Sequence, residues 1–263
     1  MSIGVSTASL YPLETEKALI KLGSLGVKKT ELFLNSSIEL ELYLDTMLRA
    51  KEDYGIDIVS FHPFSSPMET VFLFSKYQRR VQEMLDKYES YFEAMNKLGA
   101  KIFVLHGAIN SSSCDDEYYI QQYSRLFELG KSYNIIVTQE NISYCKSHSL
   151  ELLRKMKNLL GENVAFTVDL KQAIRSQLCV FDIVDALKES IKHFHISDSG
   201  KKGDCLLAGE GDFNFSLLFE KAEGFGYEGD FIIELYRNNY DNYEQLSNNC
   251  NYLQNIYKQT VKF

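Results

Sequence analysis

The feature of this sequence that most constrains its fold is a short apolar, β-prone run that recurs eight times along the chain. The runs are separated by segments in which apolar residues step by three and four, as on one face of a helix. Regular alternation of strand and helix predicts parallel β/α units. The runs lie at residues 3–7, 29–34, 57–62, 101–106, 135–140, 164–169, 193–197 and 230–235.

Eight such units fit either a closed barrel or an open, doubly wound sheet. A (β/α)8 TIM barrel takes about 250 residues, and this chain has 263. The dinucleotide-binding form of the open sheet carries a GxGxxG turn after its first strand, and no such turn follows residues 3–7. No linker-like stretch divides the chain. The sequence therefore predicts an α/β fold, a single (β/α)8 TIM barrel, over residues 1–263.

The clearest helical pattern runs from residue 73 to residue 98. Apolar residues from Phe74 to Met95 step by three and four through this segment, as expected for a helix that buries one face. Gly99 follows at the position where a glycine commonly ends a helix. The spacing predicts a helix over 73–98.

Composition and charge narrow the range of partners. The net charge is −8 and Lys and Arg form no long basic stripe, so nucleic acid is not an expected partner. No apolar run reaches the ~18 residues of a membrane helix, and the first residues lack the basic and apolar regions of a signal peptide. The five cysteines are scattered singly, which is typical of reduced thiols. We expect a cytoplasmic protein with no membrane partner, and the sequence leaves open whether it forms a homo-oligomer.

Six of the eight runs carry a metal ligand or a base at or near their carboxyl ends, where a parallel barrel builds its active site. Three carboxylates crowded together there would raise one another's pKa unless a cation neutralised them. We therefore predict that one divalent metal ion binds to four of these residues, with Mn²⁺ favoured and Mg²⁺, Co²⁺ or Zn²⁺ as further options. The predicted ligands are Glu140, Asp169, His195 and Glu234, and the other two residues are His62 and His106.

Each of these residues also has a structural interpretation. A single Asp or Glu at a strand end is usually a helix N-cap or a salt-bridge partner, but ligand types at the ends of the last four runs in succession favour a metal site. His62 and His106 either serve the substrate or make structural hydrogen bonds. His193, on the same strand face as His195, is interpreted as an interior histidine.

Polar segments past the last two runs have two interpretations as well. The glycine-rich stretch GEGDFNF at 209–215 can offer backbone N–H groups to a phosphate, or its glycines simply form a tight loop, which we favour. Tyr236 and Arg237 either contact an anionic substrate or face water.

Taken in order, the motifs are similar to those of a known family. The chain reads HGA after the fourth run, QEN at 139–141, FTVD at 166–169, HFHISD at 193–198, GEGDFNF at 209–215 and IIEL at 232–235. This ordered set spans essentially the whole chain and resembles the xylose isomerase-like TIM barrel superfamily, within it the sugar phosphate isomerase/epimerase branch. The resemblance implies a metal bound by Glu140, Asp169, His195 and Glu234, and a substrate pocket that includes His62 and His106.

Two positions depart from the pattern of that family. Many members carry a histidine three residues after the sixth-strand Asp, where this chain has Gln172. They often place an arginine after the seventh-strand HxxD, where Lys201 or Lys202 stands. Gln172, Lys201 and Arg237 are therefore our further candidates for substrate contact, and both departures leave the identity of the substrate open.

The sequence supports one leading hypothesis of function. The protein would be a metal-dependent isomerase or epimerase of a sugar or sugar phosphate that works through a cis-enediolate, with Glu140 and Glu234 removing and returning the proton. The first alternative is a dehydratase of a keto-polyol such as an inosose. The second is a metal-dependent phosphoesterase like the endonucleases of the superfamily, although Gln172 replaces one of their zinc ligands. The last is a barrel that binds a sugar without turning it over.

Overall fold

The computed structural model describes residues 1–261 and arranges them as a closed barrel of eight parallel strands. The barrel strands are β1 (Ile3–Ser6), β2 (Lys29–Phe33), β3 (Asp57–His62), β4 (Ile102–Leu105), β5 (Ile136–Glu140), β6 (Ala165–Asp169), β7 (Ile191–Ile196) and β10 (Phe231–Ile233). The strands neighbour one another in chain order, and β10 closes the barrel against β1. The predicted fold class is confirmed. Residues 262 and 263 of the predicted domain lie outside the described residues.

Helices surround the barrel and connect its strands. They are α1 (Thr15–Ser24), α2 (Glu39–Tyr54), α3 (Ser66–Glu69), α4 (Gln78–Leu98), α5 (Asp116–Ser132), α6 (Leu150–Leu160), α7 (Leu170–Arg175), α8 (Val180–Leu187), α9 (Phe215–Gly224) and α10 (Glu244–Thr260). Short 3-10 helices lie at Thr7–Leu10, Lys146–His148, Gly161–Asn163, Lys188–Ser190 and Arg237–Asn239. Within residues 1–261, none of the helices combines the length and the apolar character needed to cross a membrane.

The barrel strands make apolar contacts with the helices and polar contacts with one another. Towards the helices, the ring of Phe103 on β4 lies 5.0 Å from that of Tyr88 and 5.2 Å from that of Phe92, both on α4. Between neighbouring strands, the hydroxyls of Thr138 on β5 and Thr167 on β6 share a hydrogen bond of 2.7 Å. Apolar packing thus fixes the strands against the helices, while buried polar groups pair with one another.

The predicted helix over 73–98 is wrong for its first five residues, 73–77. The helix α4 begins at Gln78, because the hydroxyl of Ser75 accepts a hydrogen bond of 3.1 Å from the backbone N–H of Tyr77. A short polar side chain that bonds the nearby backbone in this way competes with helix formation. The predicted end is confirmed, since Gly99 follows α4 with a φ of 85°.

The strands around the last two predicted runs also differ from the prediction. Strand β7 begins at Ile191, two residues earlier than predicted, and β10 ends at Ile233, one residue before the predicted ligand Glu234. An antiparallel hairpin of β8 (Asp198–Gly200) and β9 (Gly203–Leu206), not predicted, follows β7 and packs beside α7.

Candidate metal centre

The four predicted ligands lie side by side on one arc of the barrel mouth. Glu140 and Asp169 end β5 and β6, His195 is the penultimate residue of β7, and Glu234 follows β10 directly. These four strands are consecutive around the barrel, so their carboxyl ends converge. One ligand atom of each residue lies within 4.8 Å of the others. All four residues are buried, and Glu234, at 9% exposure, is the most accessible.

The imidazole of His195 stands between two sets of carboxylates. Its Nδ1 lies 2.9 Å from Oε1 of Glu140. The same nitrogen lies 3.7 Å from Oδ2 of Asp169 and 3.6 Å from Oε2 of Glu234. Its Nε2 lies 2.9 Å from Oε2 of Glu31 on β2. A carboxylate that accepts a hydrogen bond from one ring nitrogen keeps the proton on that nitrogen and leaves the other nitrogen free to bind a metal. This arrangement offers Nδ1 as the ligand.

Glu31 is a residue of the centre that the sequence analysis did not single out. It is fully buried, and its Oε2 also accepts from the hydroxyl of Ser60 at 2.8 Å and lies 3.2 Å from Nε2 of His193. Burial alone would raise the pKa of Glu31, but His195 and His193 lower it more, so it lies well below its usual range. Glu31 is therefore a permanent negative charge beneath the mouth. His193 is an interior histidine, as predicted.

His62 and His106 flank the second oxygen of Glu140. Their Nε2 atoms share a hydrogen bond of 2.7 Å. The Oε2 atom of Glu140 lies 3.4 Å from Nε2 of His62 and 3.1 Å from Nε2 of His106. Neither contact has hydrogen-bond geometry, so this buried oxygen has no hydrogen-bond partner among the residues described. A buried oxygen in that position is costly unless a further ligand binds it.

Lys171 is a second residue of the centre that the sequence analysis missed. Its side chain is only 4% exposed, and its Nζ contacts Oδ2 of Asp169 and Oε2 of Glu234. Burial lowers the pKa of Lys171, but the two carboxylates raise it more, so the pKa lies well above its usual range and the group is an ammonium. The same ammonium, with His195, outweighs burial and lowers the pKa of Glu234.

The carboxylate of Asp169 caps a helix with one oxygen and faces the other predicted ligands with the second. Its Oδ1 accepts from the backbone N–H of Gln172 at 3.0 Å and caps the first turn of α7, while its Oδ2 faces His195. The backbone of Asp169 exchanges two hydrogen bonds with the side chain of Asn141, of 2.7 and 3.0 Å. The carboxylate is thus held in place by a cap on one side and a neighbouring loop on the other.

The three further candidates for substrate contact lie in different surroundings. The side-chain oxygen of Gln172 accepts from the backbone N–H and the hydroxyl of Ser143, and these contacts join α7 to the loop after β5. The guanidinium of Arg237 donates to the carbonyl of Tyr240 at 2.8 Å and lies over its ring. Lys201 is exposed at the turn between β8 and β9.

The glycine-rich loop after the hairpin wraps around the carboxylate of Asp198. The Oδ2 atom of Asp198 accepts from the backbone N–H groups of Gly209 at 2.8 Å and Gly211 at 3.1 Å. Its Oδ1 accepts from that of Phe213 at 3.0 Å. A Cβ atom on Gly211 would lie 2.4 Å from the carbonyl oxygen of Ser199, so the loop needs a glycine there. These N–H groups bind the chain's own carboxylate, in agreement with the tight-loop interpretation.

A buried carboxyl group braces α3 against the chain just after β4. The Oε2 atom of Glu69 accepts from the backbone N–H of Gly107 at 2.5 Å, and its Oε1 accepts from the hydroxyl of Tyr88 at 3.2 Å. Burial raises the pKa of Glu69 to about 8, so the group is largely protonated at neutral pH. This contact supports the backbone next to His106.

The donor set fits one divalent metal ion. Three carboxylates and one imidazole are the ligands that Mn²⁺, Mg²⁺, Co²⁺ and Zn²⁺ accept, and one oxygen of Glu140 has no other hydrogen-bond partner. Burial lowers the pKa of His195, but Glu31, Glu234 and Glu140 raise it well above its usual range. The field that favours a proton on this imidazole favours a dication as well, and the metal must displace that proton to bind.

Comparison with known proteins places the chain among related barrels. A family model described as xylose isomerase-like TIM barrel matches residues 21–256. Uncharacterized protein ML2432 of Mycobacterium leprae (strain TN) is 22% identical over 262 residues, which covers 89% of each chain. The crystal structure of a D-tagatose 3-epimerase-like protein has a TM-score of 0.80 at 19% identity, and that of the IOLI protein with a bound zinc atom has 0.78 at 14%. Both structures match over 100% of both chains. The family match confirms the resemblance that the ordered motifs indicated.

Proposed function

Because the chain belongs to the xylose isomerase-like TIM barrel family, we propose that it is a divalent-metal-dependent isomerase or epimerase of a sugar or sugar phosphate. The observation that carries the proposal is the convergence of Glu140, Asp169, His195 and Glu234 within 4.8 Å. When bound, the metal supplies a Lewis acid that polarises a carbonyl next to a hydroxyl group. The zinc in IOLI and the epimerase-like neighbour support this assignment.

Two carboxylates of this centre suit proton transfer at carbon. Glu140 and Glu234 stand at the two ends of the arc, with Asp169 and His195 between them. Burial raises the pKa of both glutamates, but His195 lowers it for each and Lys171 for Glu234, so both pKa values lie below the usual range. Both groups are therefore charged at neutral pH, the form in which a carboxylate accepts a proton.

Which product forms depends on the carbon and the face to which the proton returns. One glutamate takes a proton from the carbon beside the carbonyl and becomes a carboxylic acid. The other first receives a proton from a substrate hydroxyl or from solvent and then gives it to the enediolate. Return to the neighbouring carbon gives the isomer, and return to the opposite face of the same carbon gives the epimer. His62 and His106, beside Glu140, are the proposed contacts for substrate hydroxyls. Gln172, Lys201 and Arg237 stay as proposed contacts farther along the substrate.

A hydrogen-exchange experiment tests the proposed reaction. The protein, loaded with Mn²⁺ in D2O, is incubated separately with ketoses and ketose phosphates, and the products are followed by NMR and mass spectrometry. We expect deuterium at the carbon beside the carbonyl of the true substrate. Exchange should stop when a chelator removes the metal and return when Mn²⁺ is restored, because the carbon acid is too weak for an unassisted carboxylate.

Other products would point to the alternatives. Loss of water from a keto-polyol would indicate a dehydratase with the same centre. Thermal stabilisation by a sugar without any exchange would indicate a binding protein and would contradict the proposal.

A further inference from the structure

The most unusual group in the mouth is a lysine that contacts two of the four proposed ligands. The Nζ atom of Lys171 touches Oδ2 of Asp169 and Oε2 of Glu234, in a side chain that is 4% exposed. A buried ammonium is stable only when anions pair with it. Here both of its anionic partners belong to the candidate metal centre.

The oxygens that Lys171 contacts are those that a shared metal ion needs. Oδ2 of Asp169 and Oε2 of Glu234 are the carboxylate atoms that lie 3.7 and 3.6 Å from Nδ1 of His195. Two cations on the same pair of oxygens would repel each other strongly in a buried site. The metal and the ammonium therefore compete for these two oxygens.

We propose that Lys171 is a tethered cation that competes with the metal for Asp169 and Glu234 and so sets the affinity of the centre for its ion. The inference rests on the metal dependence of the proposed function and adds a residue that controls metal loading. Lys171 lies in the first turn of α7, which Asp169 caps. Its four-carbon side chain can move the ammonium off the two oxygens without moving that helix.

The charges explain why such a residue suits this centre. The carboxylates of Glu140, Asp169 and Glu234 bring three negative charges to the mouth, whereas the charge of Glu31 faces the histidines below them. A dication together with the ammonium of Lys171 balances the three carboxylates. Without the lysine, the metal-loaded centre keeps one negative charge, which holds a dication more tightly and repels an anionic substrate.

Metal titration of matched variants tests the inference. Wild-type protein, Lys171→Met and Lys171→Gln are freed of metal with a chelator, dialysed and titrated with Mn²⁺ in a calorimeter. We expect both variants to bind Mn²⁺ at least about tenfold more tightly than the wild type, because the competing cation is gone. Lys221→Met is the control, since Lys221 pairs with the exposed Asp185 on the surface, and its Mn²⁺ affinity should equal that of the wild type.

Thermal unfolding gives a second readout that does not depend on activity. Without metal, both Lys171 variants should unfold at a lower temperature than the wild type, because their carboxylates lose the only buried ammonium that contacts them among residues 1–261. Added Mn²⁺ should raise their unfolding temperature more than it raises that of the wild type.

The outcomes separate this inference from the proposed function. Equal or weaker Mn²⁺ binding by both folded variants, with normal binding by the wild type, would overturn the role of Lys171 alone. No binding by any of the three proteins would overturn both proposals. Binding by the variants but not by the wild type would support the competition and overturn the metal dependence of the native protein.

Discussion

Glutamine in place of Glu140 or of Glu234 is expected to lower turnover by roughly a hundred- to ten-thousandfold, the usual contribution of a positioned acid or base. Glutamine keeps the size and one acceptor oxygen of the side chain but cannot take up a proton. In Glu140→Gln, the remaining side-chain oxygen can still lie beside Nδ1 of His195, which is 2.9 Å from Oε1 of Glu140 in the wild type. The loss therefore concerns proton transfer more than the shape of the mouth.

Turnover and exchange should be measured at Mn²⁺ concentrations that saturate each variant, so that weaker metal binding does not imitate a loss of chemistry. Replacement of the glutamate that removes the first proton should abolish deuterium exchange as well as turnover. Replacement of its partner should leave some exchange in the starting sugar. Glu189→Gln is the matched control, because this exposed residue lies just before β7, at the opposite end of the barrel. Wild-type turnover in either site variant would contradict the acid/base assignment.

Alanine in place of Glu31 is expected to lower the free energy of unfolding by about 3–5 kcal/mol, as when one partner of a buried ion pair is removed. The change leaves His193 and His195 without the carboxylate that lies 3.2 and 2.9 Å from their Nε2 atoms. It should also weaken Mn²⁺ binding by about ten- to a hundredfold, the usual effect of losing a carboxylate that orients a metal-binding histidine. Urea unfolding of chelated protein and calorimetric titration measure the two effects separately.

Glu39→Ala provides the comparison for Glu31. Glu39 is equally a buried glutamate, but it accepts hydrogen bonds from the backbone of Asn35 and Ser36 and from the hydroxyl of Thr15. Its loss should cost about 1–3 kcal/mol of stability and leave the affinity for Mn²⁺ unchanged. Equal metal affinity in Glu31→Ala and the wild type would show that Glu31 supports the fold without orienting His195.

The fold and the four proposed ligands could be predicted because both follow from local patterns. Eight β-prone runs set the number of strands, and parallel strands bring their carboxyl ends to one mouth. Glu140 and Asp169 could be predicted as ligands because each ends a strand, and the carboxyl ends of parallel strands lie at the mouth. The structure brings these residues together with His195 and Glu234, and the assignment of a metal to them stays a prediction.

Lys171 and Glu31 escaped the sequence analysis for different physical reasons. Lys171 follows a strand-end aspartate and has the position of a surface lysine in the first turn of a helix. Only the geometry of α7 shows that its ammonium turns back to the mouth. Glu31 lies in the middle of an apolar run, KTELFL. A charged residue there is a signal in itself, since a buried carboxylate requires a partner, but His193 and His195 are too distant in sequence to be identified as that partner.

The glycine-rich loop after the hairpin and the start of α4 show a similar limit. In each, one side chain accepts hydrogen bonds from nearby backbone N–H groups. Asp198 gathers the N–H groups of the glycine-rich loop, and Ser75 bonds Tyr77 before the helix begins. Hydrophobic periodicity carries no information about such contacts.

A Mn²⁺ titration of the wild-type protein beside Asp169→Asn is the sharpest test of the proposed metal centre. Asparagine retains an oxygen that can accept the 3.0 Å hydrogen bond from the backbone N–H of Gln172, so α7 stays capped while one charged ligand is lost. We expect one Mn²⁺ ion per wild-type chain and at least a roughly hundredfold weaker affinity in the variant. No bound ion in the wild type, or an unchanged affinity in Asp169→Asn, would contradict the proposed metal centre.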